Sequence, residues 1–208
     1  MEFQLEKFKR ILDVGGGHNA LELATDVIDW RLEDQLNGRH YYRLDVCTDK
    51  LPFADREIDF VYCRHALEDF HNPEFALREM RRVARCGYIE TPHILTELRK
   101  GVQSEAWRGW MHHFWFVWSV GQTIKLLPKS TAINGFLKIN DEELAKLEKS
   151  LLDKLGIANH FFMWENGFDY KVYKNGIDFD YTVDYSDLIM LALEESVKYR
   201  SIVKYTET

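Results

Sequence analysis

Over the first ninety positions, apolar residues fall in short runs closed by glycine, proline or acidic residues, and that pattern predicts strands. Ile11–Val14 ends at three glycines, and a second run covers Asp26–Asp29. Third and fourth runs cover 41–46 (YYRLDV) and 58–63 (IDFVYC). The period then changes. In PEFALREMRRV, 73–83, the apolar residues Phe75, Ala76, Met80 and Val83 recur at helical spacing. Asn72 is placed to cap that helix and Pro73 suits its first turn. Residues 87–91 (GYIET) read as a fifth strand, stopped by Pro92. Strands interleaved with helical segments predict an α/β domain with a mostly parallel sheet. The first connection is short for a parallel crossover, which normally takes a dozen residues or more and a helix. Gly17 to Asp29 is only twelve steps and the second strand uses several of them, so the first crossover is predicted to be stunted.

The second half has a different pattern. From Leu95 to Lys138 clean periods are few, and Trp, His and Phe are concentrated in EAWRGWMHHFWFVW. This predicts an aromatic, histidine-rich insertion or lid around 94–138, with FWFVW partly a buried strand. Residues 141–156 read as a helix capped by Asn140 or Asp141 and ended by Gly156. HFFMW and FDYKVY flank Asn166-Gly167, a favourable tight turn, and predict a C-terminal antiparallel hairpin. Tyr185 to Val203 reads as a closing helix. No repeat or linker calls for a second domain, so 1–208 is read as one.

Composition narrows the function classes. The chain has 208 residues, 46% of them hydrophobic, enough for a sizeable core. A formal charge of −7 argues against a broad electrostatic grip on nucleic acid. The most apolar stretch, FWFVWSV, is seven residues long and too short to span a bilayer. The charged start MEFQLEKFKR does not read as a signal peptide. Cys47, Cys63 and Cys86 are too widely spaced for a Cys-x-x-Cys site or a disulfide framework. The expectation is a cytoplasmic protein with no membrane and no nucleic-acid partner.

In a parallel sheet, ligands sit beyond the carboxyl ends of the strands. The candidates for chemistry are therefore Gly15, Gly16 and Gly17, Asp29, Asp45 with Val46, Arg64 with His65, and Glu90 to His93. Asp29 closes the second strand, where a carboxylate can accept both hydroxyls of a ribose. Asp26 is the competing carboxylate. His65 can take a proton near neutral pH. His93, His112 and His113, with Glu90 or Glu105, could be gathered as metal ligands, but no His-x-His, His-Glu-x-x-His or paired-Cys spacing supports this, and no metal is expected.

The ordered pieces ILDVGGG, an acidic end to the second strand, and LPFADREIDFVYCRHALEDFHNPEFALREMRRV resemble the class I S-adenosylmethionine-dependent methyltransferases. The small-molecule, type 11-like branch is the nearest pattern. The resemblance rests on Leu51-Pro52-Phe53, Asp55, Ile58-Asp59, His65, Leu67-Glu68-Asp69, Pro73, Glu79 and Arg82-Val83, and it covers roughly residues 10–92. It implies a Rossmann-like sheet with S-adenosyl-L-methionine as cofactor. The loop Gly15–Gly17 would cup the amino acid end of the cofactor, with Asp13 helping to place its ammonium group. Asp29 would take the ribose. Asp45 would take the adenine amino group, with Asp49 as its alternative, and Val46 would add an N–H and packing. Arg64 and His65 would flank the methionyl portion and open to the acceptor.

The third glycine of the family's Gly-x-Gly-x-Gly is Asn19 here. His18 and Asn19 thus become candidates for closing the site. His65, His93 and His113 are the candidates for acid–base work on the acceptor. The expected reaction is methyl transfer to a small molecule, with oxygen narrowly favoured over nitrogen. The alternative is a methyltransferase-like binding or scaffold protein without activity. The aromatic segment could also form a homodimer face.

Overall fold

The computed structural model describes residues 4–31, 38–130, 133, 140–155 and 158–198. Its backbone divides into two compact units. Among the described residues the first holds those up to 90 together with 161–169, and the second holds 91–160 and 170–198.

The first unit carries a parallel sheet of β1 (Ile11–Val14), β2 (Asp26–Asp29), β3 (His40–Arg43), β4 (Ile58–Arg64) and β5 (Ala84–Pro92). The strand β8 (Asn159–Glu165) adds a sixth, in the order β3-β2-β1-β4-β5-β8. β1 pairs in parallel with both β2 and β4. Every residue of β1 and β2 is buried, as expected for strands covered on both faces. Asn166 N–H donates to Arg85 O at 2.7 Å and His93 N–H to Ala158 O at 3.2 Å. The residue numbers in each pair have the same sum, so β8 runs antiparallel to β5. Gly87 faces Trp164, and a Cβ there would lie 2.3 Å from the indole ring.

The expected stunted crossover is present. β1 and β2 are joined by a single 3-10 turn, Gly17–Asn19. Leu21 N–H donates to Asp13 Oδ2 at 2.7 Å, and Thr25 N–H to Ile11 O at 2.9 Å, which folds the connection back under its own strand. α1 (Pro73–Val83) matches its predicted bounds, with Asn72 accepting from Phe75 N–H and Pro73 in the first turn.

Two strand expectations need correction. The third strand stops at Arg43 rather than Val46. Asp45 is responsible: its carbonyl accepts from Thr48 and Asp49 N–H, and its carboxylate from Cys47 N–H at 2.9 Å, a local turn that competes with the ladder. The C-terminal hairpin is also absent. Asn166 (φ 61°) and Gly167 (φ 101°) do turn the chain, but the strands they join belong to different sheets.

The second unit holds a three-stranded sheet ordered β6-β7-β9, built from β6 (Trp115–Val120), β7 (Thr123–Pro128) and β9 (Asp169–Val172). β6 and β7 pair antiparallel. Tyr173 N–H, just past β9, donates to Leu126 O at 2.9 Å. Helices α2 (Ile94–Leu98), α3 (Asp141–Leu155) and α4 (Ser186–Lys198) complete it. Its core gathers Leu98, Phe116, Trp118, Leu127, Leu144 and Ile189. The predicted continuation of the last helix beyond 198 lies outside the described residues, as does the expected Gly156 stop. Among the described residues no helix is long and apolar enough to cross a membrane.

The sequence signature Leu-Pro-Phe…Glu…Arg proves to be a clamp. Arg82 donates to Phe53 O at 2.7 Å, to Leu51 O at 3.0 Å and to Glu79 Oε2 at 2.7 Å. Glu79 in turn accepts Leu51 N–H at 3.0 Å. The helix-less connection after β3 is thereby sewn to α1. Replacing Arg82 by Ala leaves the buried Glu79 carboxylate without its cation and frees two carbonyls. We expect a loss of about 2–4 kcal/mol in unfolding free energy, read by urea denaturation.

Candidate functional site

The strand order reverses between β1 and β4, and that is where a doubly wound sheet opens a crevice at its carboxyl edge. A cleft of about 540 Å³ lies there. Loops following β1, β2, β3 and β4 all contribute to its walls.

The loop after β1 is shaped by close approach. Gly15 (φ 79°) donates its N–H to Ile28 O at 2.8 Å, and a Cβ on it would come within 2.5 Å of the Ala66 Cβ. Two loops at adjacent strand ends thus touch where only glycine fits. Gly17 (φ 46°) lies beside Asp29 Oδ2, which a Cβ would approach to 3.3 Å. Asp29 is buried at the end of β2, and its Oδ1 accepts Arg31 N–H at 2.9 Å. Its Oδ2 edge is therefore the one turned toward the glycine loop.

The loop after β4 is built around His65. The residue has φ 48°, and its N–H donates to Glu90 O at 2.8 Å, carrying the β4–β5 ladder one step beyond the strand. Its ring stands between two carboxylates, with Nδ1 3.5 Å from Glu68 and Nε2 3.5 Å from Glu90. Glu68 is fully buried and Glu90 nearly so. Glu68 first, and then Glu90, outweigh the cost of burying the charge and raise the His65 pKa to about 9. The ring is an imidazolium at neutral pH. It can donate hydrogen bonds but cannot accept a proton there.

Of the residues expected from the sequence, Gly15, Gly17, His18, Asp29, Asp45, Val46 and His65 all line this cleft. Asp13 and Gly16 lie beneath the loop rather than on its surface. The Asp13 carboxylate holds the crossover through Leu21 N–H, and a Cβ on Gly16 would meet that carboxylate at 2.7 Å. Burial is the largest influence on Asp13 and raises its pKa to about 7. Arg64 is half exposed and lies 3.4 Å from Glu90. Asp26, the competing carboxylate, sits at the other end of β2, bound by Arg10 at 3.0 Å and Thr25 at 2.7 Å. His93 and His113 belong to the second unit. His93 caps α2 through Leu95 N–H at 3.2 Å, and His113 Nδ1 lies 2.7 Å from the buried Glu97, which Lys129 also contacts.

Sequence reasoning did not single out Trp30, Arg31, Cys47, Ala66, Phe70 or His71 as lining residues. Trp30 and Arg31 directly follow the acidic strand end, so their position was the available signal. Phe70 and His71 carried none; the single 3-10 turn Leu67–Asp69 after β4 is what sets them at the cleft.

Residues 12–88 match the family described as methyltransferase domain. The matched segment is similar to that family over somewhat more than a third of the chain. It holds β1 to β4, α1 and the start of β5, and every lining residue of the cleft.

Three solved structures resemble the chain weakly. The YcgJ protein from Bacillus subtilis is 20% identical with a TM-score of 0.34, over 43% of this chain and 50% of its own. A SAM-dependent methyltransferase from Aquifex aeolicus is 21% identical with a TM-score of 0.31, over 41% and 57%. The N-terminal domain of EvdMO1, with SAH bound, is 23% identical with a TM-score of 0.33, over 43% and 45%. The present chain thus spans about half the length of these relatives. No match was found among curated protein sequences.

The His65 environment has a sign that can be measured. Its folded pKa lies above the unfolded value of 6.5, so the stabilisation from its ion pairs is complete below that value and is lost as pH rises through about 9. An NMR titration of the full chain should place the His65 ring midpoint near 9. Glu90→Gln should lower it, while a midpoint near that of a free imidazole in the unsubstituted chain would refute the arrangement.

Proposed function

We propose that this chain is an S-adenosylmethionine-dependent methyltransferase acting on a small-molecule acceptor, with transfer to oxygen narrowly favoured over nitrogen. The observation that carries the reading is Asp29, buried at the end of β2, with its free carboxylate edge beside a glycine that has no side chain to block it. The cleft volume of about 540 Å³ falls within the usual range for cofactor sites. A nucleoside-sized group fits the donors and acceptors around it.

Asp29 would accept ribose hydroxyls, chiefly through Oδ2, since Oδ1 already serves Arg31 N–H. Asp45 and Val46 would face the adenine. Gly15, Gly17, His18 and Asn19 would frame the methionine end, and Asp13 and Gly16 would hold that frame from beneath. The cofactor supplies a methyl carbon bonded to cationic sulfur. The protein's task is then to align the acceptor and exclude water, so positioning carries most of the catalysis.

His65 changes role relative to a general base. As an imidazolium with both ring nitrogens turned to Glu68 and Glu90, it would fix the loop after β4 at the cleft edge and neutralise part of the carboxylate charge there, leaving the acceptor without a base from this ring. Acceptors that ionise unaided are favoured by such a site. Small size of the acceptor is supported by the chain's charge of −7, which disfavours polyanions. A cytoplasmic setting belongs to the same proposal and agrees with three free, buried cysteines.

The second reading is a cofactor-binding or scaffold protein that transfers no methyl group. It draws on Asn19 at the third glycine position and on the absence of a neutral base at His65. Calorimetry with S-adenosylhomocysteine separates the cases from non-binding, and a screen of small acceptors for radioactive methyl incorporation separates them from each other. Asp29→Ala should weaken S-adenosylhomocysteine binding roughly 10- to 100-fold, the worth of hydrogen bonds to a charged group. Equal affinity in the variant would sink the ribose assignment.

A further inference from the structure

At one end of the cleft, Asp45, Cys47 and His71 bring a carboxylate oxygen, a thiol sulfur and an imidazole nitrogen within 4.8 Å of one another. They come from two different loops, the turn after β3 and the turn before α1. The two loops are fastened together, since Asn72 Nδ2 donates to Cys47 O at 3.1 Å. Within the first loop, Asp45 Oδ1 accepts Cys47 N–H at 2.9 Å, which leaves Oδ2 for another partner. Cys47 is buried and His71 is exposed, so the trio has a dry side and a side open to solvent.

The Cys47 sulfur lies on the buried side of the trio, within 4.8 Å of the Asp45 carboxylate and the His71 ring. A cation placed between them would be met by a carboxylate, a thiolate and an imidazole together. The donor set decides which cation. Calcium and magnesium take oxygen ligands almost throughout. One sulfur, one imidazole nitrogen and one carboxylate oxygen suit zinc, which in open sites has three protein ligands and a fourth position for water or a ligand.

We propose that Asp45, Cys47 and His71 form a binding site for a zinc-type divalent cation at the mouth of the cleft, with its fourth position facing the cavity. Asp45 and the adjoining Val46 are also the residues assigned above to the adenine. Metal and nucleoside would then exclude each other, and zinc would act as an inhibitor of cofactor binding. That consequence rests on the cofactor reading; the metal site itself does not.

Cobalt(II) is the probe for the site, added to the metal-free full chain and followed by absorbance. A thiolate-to-cobalt charge-transfer band should appear, and zinc should displace it. Cys47→Ser should abolish the band. His71→Ala, at an exposed position with little burden on folding, should weaken cobalt binding by at least about tenfold. No band in the native chain, an undiminished band in Cys47→Ser, or unchanged affinity in His71→Ala would each overturn the site. Calorimetry of S-adenosylhomocysteine with and without zinc tests the exclusion. Lower apparent affinity with zinc supports it, and unchanged affinity removes it. If S-adenosylhomocysteine does not bind at all, the cofactor reading fails and the cobalt result still stands.

Discussion

The arrangement of the cleft depends on one ion pair and the carbonyls it gathers. Arg82 and Glu79 lie a turn apart on α1, and between them they bind Leu51 through both its N–H and its carbonyl and Phe53 through its carbonyl. The connection from β3 to β4 has no helix to stabilise it, yet it must carry Asp45, Val46 and Cys47 to one wall of the cavity. Ordering such a loop costs conformational entropy at every residue. The partly buried guanidinium answers that cost at a single point, because a planar fork of five donors can take two carbonyls and a carboxylate together. A similar device at the opposite edge joins Arg10 to Asp26 and Glu57, tying the entry to β1 to the start of β2 and the approach to β4.

With the loops fixed, the chemistry of the cleft follows from what the strand ends present. The floor is glycine because Ala66 from the next loop leaves no room for a side chain on Gly15. The carboxylate of Asp29 is positioned by a hydrogen bond to the residue two steps on. His65 is a cation at the site, and its charge is stabilised by Glu68 and Glu90. Such a site has the carboxylate and the open glycine floor on which the nucleoside proposal rests, and it offers no neutral imidazole at His65 for proton abstraction.

Much of this was legible along the chain. Short apolar runs closed by glycine, proline or acidic residues marked β1, β2, β4 and β5, and the spacing of Phe75, Ala76, Met80 and Val83 marked α1 to the residue. Gly15, Gly17, Asp29, Asp45 and His65 followed from the rule that ligands meet the carboxyl ends of parallel strands, and they do share one cavity. The misreadings came from local signals that were correct locally. Asn166-Gly167 adopts the backbone of a tight turn, but a turn does not choose which sheet receives each strand. The Leu-Pro-Phe…Glu…Arg pieces carried the family resemblance with no role attached, and the structure shows them to be a clamp that holds the fold.

The sequence by itself determined the class of fold, the stunted first crossover and the strand-end residues, because these depend on periodicity, on chain length and on which residues tolerate a given backbone. Tertiary structure alone decided the rest. It placed β8 beside β5 and β9 beside β7. It set His65 between two buried carboxylates that lie three and twenty-five positions away, and so fixed its charge. It brought His71 to Asp45 and Cys47 from another loop. Each of these rests on distances between residues far apart in the chain, and electrostatic and coordination chemistry depend on distance in space, which no local pattern encodes.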